Sequence, residues 1–202
     1  MKKLLVVLGF TMTAMSAQAS TLSLASTGPV TFTTATLGCP LCGQDVITGA
    51  TGGVFGTLSI DSNASLVATF LGYEASNTNF YVANGLKVMS NKGTNVGDTF
   101  AFDVSAGAIP FGFYDQSTGV SASNINDNIN KIAYIKNNGS YKDASGNPFA
   151  FLIGFNDSGS TDGDYDDYVI GVNAVPVPAA LPLMASALGL FGISRRKSKK
   201  AA

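Results

Sequence analysis

The chain of 202 residues has no histidine, no tryptophan and a single glutamate, Glu74. Without histidine, the triads that activate a serine or cysteine nucleophile and the three-histidine metal sites are excluded. Two cysteines and no histidine cannot supply the four ligands of a structural zinc site. No phosphate-binding glycine loop is present either. These absences predict a protein with no catalytic residues, with an Asp-dependent secreted hydrolase as the least favoured alternative.

Charge is scarce and unevenly distributed along the chain. Seven of the twelve basic residues lie in the first three and the last eight positions. Residues 20–174 contain five lysines and all thirteen acidic residues, so their net charge is -8. A surface of this sign repels nucleic acid and favours cations or basic partners. Nucleic-acid binding is therefore excluded.

The N-terminus has the three parts of a secretory signal peptide. Lys2 and Lys3 precede an apolar run over residues 4–10, and the small residues that follow end in Ala17-Gln18-Ala19. This order predicts a signal peptide over residues 1–19 with cleavage before Ser20, in preference to a short buried helix. The middle of the chain is then exported.

The C-terminus combines a long apolar run with a basic end. Residues 175–193 carry no charge, and Arg195, Arg196 and Lys197 follow. At about 1.5 Å per residue this run would span about 28 Å, close to the hydrocarbon thickness of about 30 Å. The sequence predicts one transmembrane helix whose cations stay in the cytoplasm, within a tail of residues 175–202. Residues 20–174 then form the ectodomain.

The start of this tail, Val175-Pro176-Val177-Pro178-Ala179, together with the apolar run and Arg195-Arg196-Lys197, resembles the PEP-CTERM sorting signal of Gram-negative bacteria. Valine stands where the eponymous motif has glutamate. The resemblance implies transient anchoring in the inner membrane and processing by an exosortase-like membrane protease. It also implies a final location at the cell surface or in the extracellular matrix, with exopolysaccharide as a potential partner. A plain single-pass anchor is the alternative.

The ectodomain has the periodicity of β-strands. Phe100, Phe102 and Val104 recur at every second position, and so do Phe149, Phe151, Ile153 and Phe155, which predicts that each set lies on one face of a strand. Asn84-Gly85 predicts a hairpin turn, because both central residues of a type I′ turn need positive φ. Further strands are predicted over residues 30–36, 54–60, 66–71, 80–89, 109–114, 131–135 and 168–172.

Many short strands separated by polar turns predict a mainly β fold. We expect a single jelly-roll-like β-sandwich between the signal peptide and the transmembrane helix, with an open barrel as the structural alternative. The only helix expected in the ectodomain is a short one within residues 121–131.

Five of the thirteen acidic residues fall within eleven positions: Asp157, Asp162, Asp164, Asp166 and Asp167. Neighbouring carboxylates repel one another, so a loop that holds them is stabilised by a cation, and Ca²⁺ accepts six to eight oxygen ligands in flexible geometry. An EF-hand is excluded, because Asp167 stands where that loop needs glycine. The segment is predicted to bind calcium, with a solvated acidic turn as the alternative.

The same segment resembles the acidic signature of an uncharacterised β-domain of secreted bacterial proteins. The matching residues are Gly154-Phe155-Asn156-Asp157 and then residues 163–169. The resemblance covers about 20 residues. It implies a β-sandwich and a calcium site, and it implies no catalytic activity.

Cys39 and Cys42 are the only cysteines. In an oxidising envelope their spacing predicts a local disulfide, with intermolecular pairing as the alternative. A thioredoxin-like redox site would need a helix start within an α/β pattern, whereas these cysteines are flanked by glycines in a β-rich chain.

Two functions are favoured after these exclusions, ahead of the Asp-dependent secreted hydrolase. The first is a non-enzymatic surface or matrix protein, delivered by its tail and stabilised by calcium. The second is a carbohydrate-binding module for exopolysaccharide, in which exposed tyrosines stack on sugar rings.

Overall fold

The structure is a computed structural model that describes residues 20–32, 52–125, 129–135, 137, 139–157, 163 and 165–176. The predicted signal peptide, Cys39 and Cys42 lie outside the described residues, as does everything beyond Pro176. One compact unit extends over Ala19–Pro176. Its described part contains strands and one 3-10 turn, Ile129–Lys131, but no α-helix.

The strands of the described part, in chain order, are β1 Leu22–Thr31, β2 Gly52–Ile60, β3 Ala64–Gly72, β4 Asn79–Ala83, β5 Leu86–Ser90, β6 Thr99–Val104, β7 Gly107–Ala108, β8 Phe111–Asp115, β9 Ser121–Ser123, β10 Ile132–Ile135, β11 Phe151–Phe155 and β12 Tyr168–Pro176. The first sheet has the order β1-β2-β10-β11-β12-β3-β6, and β7 also pairs with β2. The second sheet has the order β5-β4-β8-β9. Neighbouring strands in both sheets are antiparallel.

Aromatic side chains join the two sheets into one core. The ring of Phe113 on β8 stacks on Phe155 of β11, with centroids 5.1 Å apart and planes 6° apart. Phe113 also lies 5.6 Å from the ring of Tyr168 on β12, and Tyr81 on β4 lies 6.4 Å from Phe102 on β6. Each pair links one sheet to the other, so the predicted mainly β fold is confirmed, in a sandwich-like arrangement of two sheets.

A buried asparagine adds a polar link between the sheets. Asn124 follows β9 and is fully buried. Its amide donates to the carbonyls of Leu58 on β2 and of Ile109, at 2.8 Å each, and its Oδ1 accepts from the Leu58 N–H at 2.7 Å. The Tyr134 hydroxyl donates to the same Oδ1. Every polar atom of this amide is paired, so these hydrogen bonds compensate for the loss of its hydration on burial.

Most of the strand patterning is as predicted. Phe102 and Val104 are buried, and Phe100 is half-buried against the same core. Asn84 and Gly85 have φ of 50° and 78°, which confirms the turn between β4 and β5. The short helix expected within residues 121–131 is absent from the start of this range, where Ser121–Ser123 pairs with β8 as strand β9, and the range ends in the 3-10 turn Ile129–Lys131. Pairing to a neighbouring strand outweighs a weak local helical tendency.

The prediction that Phe149 lies on the same face of a strand as Phe151, Ile153 and Phe155 is also wrong. β11 begins only at Phe151, and Phe149 packs with Ile135 and Leu152 in a small cluster on the opposite side of the first sheet from the main core. Its ring lies where a Cβ on Gly171 would stand. Phe151 itself is half-buried at the margin of the main core. Side chains therefore cover both faces of β11. The alternation of side chains between the two faces applies only within the strand, which Phe149 precedes.

Phe113→Ala is expected to lower the free energy of unfolding by about 3–5 kcal/mol, because the missing ring leaves a cavity between the sheets. Val96→Ala is the control. Val96 is 69% exposed, so its truncation should change the stability by no more than about 0.5 kcal/mol. Denaturant unfolding of both variants and the wild type measures the difference. Equal effects of the two substitutions would contradict the central role of Phe113.

Candidate functional site

Both ends of the described domain meet at the hairpin between β2 and β3. The Asp61 carboxylate accepts from the Thr21 N–H at 2.9 Å, and the Thr21 carbonyl accepts from the Asp61 N–H at 3.2 Å. The hydrogen bond from the Thr21 backbone holds the pKa of the Asp61 carboxyl below its usual value. At the other end, Pro176 pairs with Ala64 at the start of β3. The chain therefore enters and leaves the domain at one place.

Only the first two residues of the predicted sorting motif are described. Val175 and Pro176 continue β12 and pair with Ser65 and Ala64, so this strand runs two residues past the predicted end of the ectodomain. The remaining motif residues lie outside the described residues: Val177, Pro178, Ala179, Arg195, Arg196 and Lys197. Within the described ranges, no helix has the length and apolarity needed to cross a membrane.

Three of the five predicted calcium ligands are described, and they lie at one corner of the domain. Asp157 follows β11, while Asp166 and Asp167 precede β12. The Asp157 N–H donates to Asp167 Oδ2 at 2.7 Å, which joins the two ends of the acidic segment. Asp157 and Asp166 are each only 4% exposed. Asp162 and Asp164 lie outside the described residues.

Asn79 at the start of β4 belongs to the same corner, although its sequence context did not indicate a site. Its side chain is fully buried, and Nδ2 donates to Asp157 Oδ2 at 2.6 Å. Its backbone N–H donates to Asn91 Oδ1 at 2.9 Å, and Asn91 Nδ2 donates to the Asn77 carbonyl at 2.8 Å. An asparagine at a strand start is typical of a turn, so only the fold brings it to the acidic segment. Considering His, Cys, Asp and Glu alone, the described residues contain no group of three that could hold a metal ion.

Gly154, the first residue of the acidic signature, occupies a position where a side chain would not fit. A Cβ on Gly154 in β11 would collide with the backbone carbonyl of Tyr165. Tyr165 has φ of 60°, and its hydroxyl donates to the Asn130 carbonyl at 2.7 Å. The bare Gly154 backbone thus lets Tyr165, the residue before Asp166, lie closely over β11.

A second feature is a groove of about 400 Å³ on the outer face of the second sheet. Lys87 on β5 places Nζ 3.6 Å from the ring centroid of Tyr114 on β8 and 4.8 Å from that of Phe80. The middle of the floor is Gly112, where a Cβ would collide with the Ala122 carbonyl of the paired strand. An aromatic surface with one amine and small hydroxyl-bearing neighbours has the chemistry to bind a sugar ring that carries an acid group.

Gly154→Ala is expected to destabilise the protein by about 1–3 kcal/mol, because the backbone of the acidic segment must move away from β11. Gly28→Ala is the matched control, since nothing lies within 4 Å of a Cβ at Gly28 and its φ is not in the left-handed region. Thermal unfolding compares the two. A Gly154→Ala protein as stable as Gly28→Ala would mean that the acidic segment does not pack on β11.

Comparison with known proteins finds no match. No protein-family model matches the chain, and neither a curated protein nor a solved structure is similar to it at a significant level. The chain is therefore assigned to no family, and its function is inferred from the residues and geometry described above.

Proposed function

We propose that this protein is an exported, non-enzymatic component of the cell surface or extracellular matrix, delivered by its C-terminal tail and processed by an exosortase-like membrane protease. The fold that we propose for its ectodomain is a jelly-roll-like β-sandwich. The observation that carries the proposal is the meeting of Thr21 and Pro176 at the hairpin between β2 and β3. A signal peptide before Ser20 and a sorting tail after Pro176 would therefore both join the domain close to this hairpin.

The order of events follows from this attachment. During export the tail would hold the domain at the inner membrane, and β12 would already be paired up to Pro176. Strand pairing would protect the residues up to Pro176 from a protease, so the proposed cleavage would lie beyond them. Cleavage would release the acidic domain, whose net charge of -8 favours solubility.

The mature protein in the native host is expected to begin at Ser20 and to lack Arg195-Arg196-Lys197. Pro178→Ala should leave in the membrane fraction a chain that begins at Ser20 and keeps its C-terminal tail, because it changes the proposed recognition motif. Pro182→Ala, four residues later, is the control and should be processed normally. Intact-mass measurement of the surface and membrane fractions gives both termini. A wild-type protein that keeps Ala202 in the membrane would support a plain single-pass anchor instead.

A second candidate function is binding of acidic exopolysaccharide, favoured by the groove formed around Tyr114 and Lys87. Lys87, which lies over the Tyr114 ring, offers a cation for a uronate or similar acid group, and Tyr114 lines the same groove and offers it aromatic surface. The remaining surface is acidic and would repel such a polymer, so recognition would depend on this one cation.

Lys87→Gln with Tyr114→Ala is expected to abolish binding to acidic polysaccharides on a glycan array. Lys92→Gln is the matched control, because Lys92 also lies over an aromatic ring, that of Tyr73 at 4.5 Å, but outside the groove. Unselective or absent binding by the wild type would favour the surface protein without a carbohydrate ligand.

We also propose that the acidic segment binds Ca²⁺. Asp157, Asp166 and Asp167 offer hard oxygen donors of the kind that Ca²⁺ prefers, and the ion would offset the repulsion of carboxylates held close together. Its role would be structural, fixing the connection between β11 and β12.

A further inference from the structure

The outer face of the second sheet carries two aromatic side chains next to each other. Phe80 on β4 and Tyr114 on β8 are direct partners in the strand register. Their neighbours in sequence, Tyr81 and Phe113, belong to the core. Because successive side chains of a strand point to opposite faces of a sheet, Phe80 and Tyr114 lie on the outer face, where each is half-buried.

The Lys87 side chain covers the Tyr114 ring. Its Nζ lies 3.6 Å from the centroid of that ring and 4.8 Å from the centroid of Phe80. The register pairs Lys87 with Val82 on β4, and Val82 with Gly112 on β8. Since Gly112 is two residues before Tyr114 and lies on the same face, Lys87 reaches Tyr114 from the Gly112 side, which is the floor of the groove. The ammonium therefore occupies the ring face that a sugar in the groove would need for stacking.

Lys87 has the freedom to leave this position. Its side chain is exposed, and no acidic residue is among the described residues that line the groove. A carboxylate that enters the groove would therefore meet this ammonium without competition from a carboxylate of the lining.

A neutral sugar and an acidic sugar differ in their effect on this ammonium. Either must separate the ammonium from the Tyr114 ring before it can stack there, and the cation–π attraction is then lost. An acid group offers the displaced ammonium an opposite charge, whereas a neutral sugar offers none. The loss is therefore offset only when the ligand carries an acid group.

We propose that Lys87 is the specificity-determining residue of this groove: it covers the Tyr114 ring in the free protein and uncovers it when the acid group of a sugar ligand draws the ammonium away. This inference rests on the proposed binding of acidic exopolysaccharide. Lys87 then has two roles, attraction of the acid group and exclusion of neutral sugars from the ring. The ligand class is a polymer of sugars that carry carboxylates.

Titration of the purified full chain with two probes tests the inference. The probes are a galacturonate trimer and the same trimer with its carboxyl groups methyl-esterified, which keeps the rings and linkages but has no charge. The wild type should prefer the acid. Lys87→Ala should bind the ester about two- to fivefold more tightly than the wild type does, the factor that corresponds to a cation–π interaction at an exposed site, and should lose the preference for the acid. Lys92→Ala is the matched control and should keep both wild-type Kd values, because Lys92 lies over Tyr73 outside the groove.

Two further measurements separate covering of the ring from simple attraction of the acid group. Lysine-selective isotope labelling and NMR should show a ring-current shift of the Lys87 side chain in the free wild type, and saturation with the acid trimer should remove this shift. Lys87→Ala made in a Tyr114→Leu background should give no gain in ester binding, because the ring to be uncovered is missing.

An unchanged ester Kd in Lys87→Ala would overturn the inference while the binding proposal stands. A gain in ester binding that persists without the Tyr114 ring, or a Lys87 ring-current shift that persists in the saturated complex, would do the same. A wild type that does not bind the acid trimer would remove both proposals.

Discussion

The stack of Phe113 on Phe155, extended by Tyr168, is the contact on which the rest of the domain depends. It is the place where the second sheet packs on the central strands β11 and β12 of the first. In a chain with few charges and no α-helix in its described part, the burial of sheet faces is the main stabilising contribution, and large aromatic rings bury the most area. Burial also raises the pKa of the Tyr168 hydroxyl and of Tyr81 beside it, so both stay neutral in the core.

β12 connects this core to the acidic segment on one side and to the start of the proposed sorting tail on the other. It lies between β11 and β3, its first residue Tyr168 is part of the aromatic stack, and its last residue Pro176 pairs with Ala64. The acidic segment enters it at one end, and the proposed sorting tail leaves it at the other. Because a strand this central is hydrogen-bonded on both sides, a change at the acidic corner acts on the same element that carries the tail.

Two lysines of the described part lie over aromatic rings, while three carboxylates gather at the acidic corner. Lys87 lies over Tyr114 and Lys92 lies over Tyr73. This separation gives the surface two distinct chemistries: a groove suited to a ring with an acid group, and a corner suited to a cation. The two proposals of ligand binding therefore concern different faces and can be tested independently.

The sequence by itself determined the mainly β class, the hairpin at Asn84-Gly85 and the alternating face of β6, because these depend on side-chain period and on φ at single residues. It also indicated that Asp157, Asp166 and Asp167 belong together, since they are close along the chain. Only the tertiary structure decided on which side of the first sheet Phe149 lies. It also decided that Asn79 lies beside the acidic residues. Phe149 turns away because β11 starts after it, and Asn79 meets Asp157, 78 positions later in the chain, through the packing of two sheets. Such non-local contacts leave no periodic signal in the sequence, because they form only when the two sheets pack together.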